Sequence, residues 1–286
     1  MAVYNGSATL AKALDCVFAQ DYKDFDVLVL DDGSTDDSAQ IAATYDCRVL
    51  TVPNAGLGAG RKEMVEEATG ELVAFVDHDD FWLPSKLGKQ VAVLDESGAS
   101  LVHADGWYIY EDGRRVERNL KLATQETSFD HILPSNYVIA STALFNRQHM
   151  LDAGNFVADT VRCSDWYGWL ILAPGRKFIH MPEKLVEYSV LSTSLANAGY
   201  RFHEAQNYLL TQRILPIRHE LFAGLPPAQV ARYTNMIVER SGIALSSMAK
   251  ALAQQGKKKE ARAIALKAIK TSPTVLRVWT RALSTL

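Results

Sequence analysis

The sequence predicts an α/β fold: a mostly parallel central sheet flanked by helices, followed by an all-helical C-terminal region. Three observations predict it. From the start to about residue 110, short continuous apolar runs alternate with segments of helical periodicity, the pattern of parallel strands covered on both faces. The acidic segments "DDGS" (31–34) and "DHDD" (77–80) each follow directly on such a run. Beyond about residue 200 the strand signal stops and only long helical patterns remain. The expected division is residues 1–200 and 201–286.

The elements follow in order. "MAVY" is an unusually short first strand before the loop "NGSA". In "TLAKALDCVF", Leu10, Leu14, Val17 and Phe18 share one helical face. "DVLVL" (26–30) is a strand, "DSAQIAATY" a helix, "RVLTV" (48–52) a strand and "GRKEMVEEA" (60–68) a helix. "ELVAFV" is the next strand, and "PSKLGKQVAVLDE" a helix with Pro84 at its first turn. Residues 99–200 mix strand-like "SLVHADGWYIY", a charged turn "EDGRR", a strand "ASTALFN" (140–146), a short helix "RQHMLDAG" closed by Gly154, and an amphipathic helix "SDWYGWLILA" (164–173).

Composition excludes several function classes. The formal net charge of −3 gives no electrostatic reason to expect nucleic acid. Cys16, Cys47 and Cys163 are far apart and odd in number, which speaks for a reducing compartment and against a disulfide framework or structural zinc. No apolar run approaches the roughly 18 residues needed to span a bilayer, and "MAVYNGSATL" has no basic segment followed by an apolar one. The expected location is the cytoplasm.

Ligands of open α/β sheets bind at the carboxyl ends of the strands, so "DDGS" and "DHDD" are expected to share one crevice. Carboxylates suit hard cations such as Mg²⁺ or Mn²⁺, which commonly bind through one or two of them plus substrate phosphates. On an extended segment Asp77 and Asp79 point the same way and His78 the other, as a helper or packing residue. "AGLGAG" (55–60) reads G-x-G-x-G rather than the dinucleotide fingerprint G-x-G-x-x-G; it is read as a flexible loop passing close to a ligand. Asp165 opens its helix either as an N-cap or as a general base aimed into the crevice.

The order "VYNGSATLAKALDCVFAQDYKDFDVLVLDDGSTDDS", "NAGLGAGRKEMVEEATGELVAFVDHDDFWLPSKL", "ASTALFNRQHMLDAGNF" and "SDWYGWLILA" resembles the family 2 glycosyltransferases of the GT-A fold, over about residues 1–195. The resemblance implies a catalytic domain over 1–200, with a nucleotide base held by Ala2, Tyr4, Asn5 and Asp32. It implies Arg61 near the diphosphate, Asp77 facing the sugar nucleotide, Asp79 as ligand of a divalent cation (Mn²⁺ or Mg²⁺), and Asp165 as catalytic base. The chain departs from the family pattern in Lys62, where Asn is frequent, and in His78 inside D-x-D. It also departs in Ser189 and Leu191, where many members carry Arg and His after a Tyr.

The implied reaction is inverting transfer of a sugar from a nucleotide-diphosphate donor, UDP by preference, to a carbohydrate or lipid-linked acceptor in cell-surface polysaccharide or glycolipid assembly. A nucleotidyltransferase, or a non-catalytic nucleotide-sugar-binding module, stands as the alternative. The tail adds an expectation about partners. From Lys257 to Leu286, eight lysines and arginines stand against Glu260 alone, with Val275, Leu276, Trp279 and Leu283 on the apolar side. Such a segment suits peripheral contact with an anionic membrane, here at the inner face; the alternative is a solvated basic face packed on the catalytic domain.

Overall fold

The chain opens on a strand of two residues, β1 (Ala2–Val3), which is nonetheless the seam of the fold. On one side it runs parallel to β2 (Leu28–Asp31), which in turn runs parallel to β3 (Arg48–Thr51). On the other side Ala2 forms a parallel bridge with Asp77, three residues past β4 (Leu72–Ala74). Both acidic segments therefore emerge beside the carboxyl end of β1. The computed structural model describes residues 1–122, 124–160, 162–192 and 200–284.

Helices close the faces. α1 (Leu10–Phe18) buries Leu10, Ala13, Leu14 and Val17, the stripe its periodicity predicts. α2 (Ser38–Ala42), α3 (Leu57–Glu67) and α4 (Lys86–Ser97) complete the N-terminal layers. Pro84 lies just before α4, whose N-cap is Ser85, rather than in its first turn.

The second sheet is ordered β4-β9-β6-β10-β5, with β7 on β6 and β8 on β10. Its strands are β5 (Phe81–Trp82), β6 (Leu101–Tyr110), β7 (Arg115–Arg118), β8 (Glu126–Thr127), β9 (Leu144–Asn146) and β10 (Phe178–Val190). Only β6 and β10 pair in parallel here; the other pairs are antiparallel. The short turn between β6 and β7, closed by Gly113 N–H donating to Tyr110 O at 2.9 Å, permits nothing else. "ASTALFN" is not one strand. It is a 3₁₀ turn (Ala140–Thr142) leading into β9. The remaining helices of this part are α5 (Phe129–Ile132), α6 (Arg147–Asp152) and α7 (Ser164–Leu172). α7 is not amphipathic: Ser164 and every residue from Trp166 to Leu172 are buried.

The chain divides into two compact units, Met1–Ile132 with Asn136–Ser192, and Leu133–Ser135 with the described residues beyond 192. The expected boundary near 200 falls directly after residues 193–199, which lie outside the described residues. The second unit contains α8 (Tyr200–Tyr208), a π-helical turn (Leu209–Ile214), α9 (Arg218–Leu221), α10 (Pro227–Gln254), α11 (Lys258–Thr271) and α12 (Leu276–Leu283). Leu245, Ala268 and Val278, and next to them Ala249, Ala265 and Ala282, form the small-residue core between the last three helices. No helix among the described residues is long and apolar enough to cross a membrane.

Candidate active site

The loop after β1 is shaped by the segment after β2. Three successive amides are taken by its side chains: Asn5 N–H donates to Ser34 Oγ (2.9 Å), Gly6 N–H to Ser38 Oγ (2.9 Å) and Ser7 N–H to Asp36 Oδ2 (3.0 Å). Asn5 Oδ1 accepts in return from Thr35 N–H at 2.8 Å. Asn5 sits at φ 50°, a left-handed conformation that Asn tolerates better than most residues. This reciprocity is why "DDGSTDDS" is so rich in short oxygen-bearing side chains: a loop without regular pairing needs them to satisfy its backbone. Tyr4 stays half exposed at the rim, and Ala2 lies between Leu30 and Asp77. Asp32 is buried, with Oδ1 accepting from Ala55 N–H (2.8 Å) and Oδ2 from Gly56 N–H (2.9 Å). It fastens the "NAG" loop over the end of β2.

"DHDD" is a tight turn rather than an extended segment. Asp80 N–H closes onto Asp77 O at 3.0 Å. His78 does point away from its acidic neighbours: its Nδ1 lies 3.2 Å from Thr9 Oγ1. It packs so closely on the loop after β1 that a Cβ on Gly6 would stand 2.7 Å from that nitrogen.

Arg61 on α3 joins the acidic turn to the start of α7. Its buried guanidinium donates to Ser164 Oγ at 2.7 Å and approaches Asp77 Oδ1 at 3.4 Å. The first turn of α7 is thereby tied to the acidic turn. Asp165 is the next residue, and Cys163, not Asp165, is the N-cap. Asp165 Oδ2 accepts from Asn136 Nδ2–H and Oδ1 from Trp166 N–H, both at 2.8 Å.

The electrostatics converge on Tyr188 of β10. Burial first, then Asp80, Asp77, Asp165 and Asp79 in that order, push its phenol well above the ordinary range. Four carboxylates, three from the acidic turn and Asp165 from α7, thus act on one hydroxyl through their charge. Burial, and then the Asp77 charge, raise the Asp79 carboxyl, with His78 opposing. Burial and the charges of Asp77 and Asp79 raise Asp80 well above the usual carboxylate range. Concentrated negative charge of this kind is relieved by a cation. Among the described residues no three His, Cys, Asp or Glu side chains form a cage. Asp77 and Asp79 supply oxygen donors of the kind that hard divalent cations take.

Sequence reasoning missed Tyr188, Ser164, Asn136 and Ser141, and met Ser189 only as a departure. Their signal is weak in the chain because each acts through a partner remote in sequence, such as Arg61 with Ser164. A cavity of about 780 Å³ lies elsewhere, at the amino ends of β2 and β4, lined by Met1, Val27, Met64, Phe75 and Trp82 among others and by none of the predicted site residues.

Residues 1–153 match the family model described as Glycosyl transferase family 2. The chain is 26% identical over 206 residues to the putative teichuronic acid biosynthesis glycosyltransferase TuaG of Bacillus subtilis, covering 69% of this chain and 80% of that protein. It spans only 59% of the length of an uncharacterized Mycobacterium tuberculosis protein with 29% identity over 209 residues, 69% of this chain. Among solved structures, Staphylococcus aureus TarS 1–349 in complex with UDP-GlcNAc superposes with a TM-score of 0.69 at 17% identity, over 99% of this chain and 87% of that one. The mannosyltransferase PcManGT of Pyrobaculum calidifontis, in complex with GDP-Man and Mn²⁺, gives 0.60 at 18% identity, over 99% and 85%. At such identity these two likenesses are likenesses of fold.

Proposed function

The chain belongs to glycosyl transferase family 2, and from that premise we propose that it transfers a sugar from a nucleotide-diphosphate donor, UDP by preference, to an acceptor hydroxyl with inversion. The observation that carries the reading is Arg61, whose buried guanidinium ties the acidic turn at Asp77 to the start of α7, next to Asp165. It is supported by TarS and PcManGT, which share the fold and hold UDP-GlcNAc and GDP-Man. Ala2, Tyr4, Asn5 and Asp32 frame the place for the base, and Asp32 retains lone pairs beyond those given to Ala55 and Gly56.

Asp79, with Asp77 beside it, would hold a divalent cation. When bound, such an ion offsets the charge that develops on the leaving diphosphate. Asp165, oriented by Asn136, accepts the proton from the acceptor hydroxyl as that oxygen attacks the anomeric carbon. The bond between the anomeric carbon and the diphosphate oxygen breaks, and the nucleoside diphosphate leaves. One displacement with a single base and no carboxylate nucleophile inverts the anomeric centre. A nucleotidyltransferase would bring a basic loop after β1, and "NGSA" carries no Lys or Arg.

The acceptor class follows from the tail. Leu266 on α11 and Leu276, Trp279 and Leu283 on α12 are exposed beside the basic residues. That face fits an anionic membrane surface, and with it a lipid-linked or cell-surface polysaccharide acceptor. The donor reading is tested by a thermal-shift screen of nucleotide sugars with Mn²⁺. A true donor at 100 times its dissociation constant stabilises by about 2.7 kcal/mol, and Asp79→Asn should abolish the Mn²⁺-dependent part. No shift with any nucleotide sugar rejects the reading.

A further inference from the structure

The acidic turn carries three carboxylates, and one of them is turned away from any ligand. Asp80 is buried, and its oxygens are taken by two serines from distant elements. Ser141, in the 3₁₀ turn before β9, donates its hydroxyl to Asp80 Oδ2. The same Ser141 Oγ accepts from Asp77 N–H at 3.0 Å, and Trp82 Nε1–H holds the Ser141 carbonyl at 2.8 Å. Ser189, on β10, donates its backbone N–H to Asp80 Oδ1 at 2.9 Å and its hydroxyl to the Asp79 carbonyl. With Asp80 N–H closing onto Asp77 O, Asp77, Asp79 and Asp80 are each fixed from outside the turn or across it.

We propose that Asp80 and Ser189 are positioning residues: together with Ser141 they clamp the acidic turn so that Asp77 and Asp79 present their carboxylates to a cation–diphosphate pair. The inference rests on the donor reading above. A site with only two protein carboxylates has little redundancy, so the orientation of each one decides affinity. Hydrogen bonds behind metal ligands typically contribute 10- to 100-fold to affinity. The clamp also explains what β10 does at position 189. A hydroxyl engaged with the Asp79 carbonyl acts on the donor site through the backbone of the turn, not by touching the diphosphate.

The test measures Mn²⁺ binding with UDP present, from the electron paramagnetic resonance signal of free Mn²⁺, alongside turnover. Ser189→Ala removes one hydroxyl and should weaken Mn²⁺ binding by roughly 10-fold or more, with the unfolding temperature little changed. Ser189→Thr keeps the donor and should restore binding. Asp80→Asn should weaken Mn²⁺ binding at least as much as Ser189→Ala; if it fails to fold, the serine pair decides alone. Equal Mn²⁺ affinity in wild type and Ser189→Ala overturns the inference, as does a well-folded Ser189→Thr that binds no better than the alanine variant. A wild-type chain that takes up no Mn²⁺ with UDP overturns the donor reading, and the clamp with it.

Discussion

Asp165 stands in the first turn of α7 with both oxygens engaged, one by Asn136 and one by the amide of Trp166. The Asn136 amide fixes the carboxylate in direction, which is what a base needs before the acceptor arrives. Asp165→Asn should therefore cut turnover by roughly 10²- to 10⁴-fold, with the affinity for UDP and Mn²⁺ unchanged in a calorimetric titration. Loss of nucleotide affinity in step with turnover would make Asp165 a structural residue of the helix start. The residue scale is also where the sequence was most legible. Asp77, Asp79 and Asp165 stand out in the chain because each belongs to a short motif defined by its sequence neighbours. Ser164 and Asn136 were not, because a serine or an asparagine matters only through the partner that folding brings to it.

The site depends on two elements whose character the sequence disguises. β10 is the longest strand, thirteen residues, yet "FIHMPEKLVEYSV" contains Pro182 and two successive charges. A proline within a run demotes it as a strand; the ladder accommodates it with register shifts between Met181 and Lys184 and between Lys184 and Val186. α7 reads as amphipathic but is enclosed on all sides. Gly168 shows how tightly: a Cβ there would lie 2.3 Å from Phe156 Cε1. In an open helix Gly→Ala is stabilising by about 1 kcal/mol. Here overpacking should reverse the sign, so Gly168→Ala should destabilise by roughly 1–3 kcal/mol, measured by chemical denaturation. The same variant should lower turnover through the displacement of Asp165. A stabilised Gly168→Ala protein would contradict the packing.

On the scale of the whole chain, charge is segregated. The net charge is −3, while the last thirty residues carry eight basic side chains against one acidic one. On α11 and α12 the basic side chains Lys258, Lys259, Arg262, Lys267 and Lys270 are exposed together with Leu266, Leu276 and Leu283. If this face meets an anionic membrane, each cation contributes about 1 kcal/mol near the surface. Reversing Lys258, Lys259, Lys267 and Lys270 to Glu should abolish co-sedimentation with phosphatidylserine-rich vesicles at low salt and leave transfer to a water-soluble acceptor intact. Equal sedimentation of both forms would remove the membrane from the account. The sequence by itself determined the α/β alternation, the family and the acidic motifs, because periodicity and short motifs are local properties written in neighbouring residues. Tertiary structure alone decided that "DHDD" is a turn gripped by Ser141 and Ser189, and that Arg61 links Asp77 to α7. Apart from Arg61 with Asp77, sixteen positions apart, these contacts join residues separated by 61 to 109 positions, and only folding sets the distances at which they act.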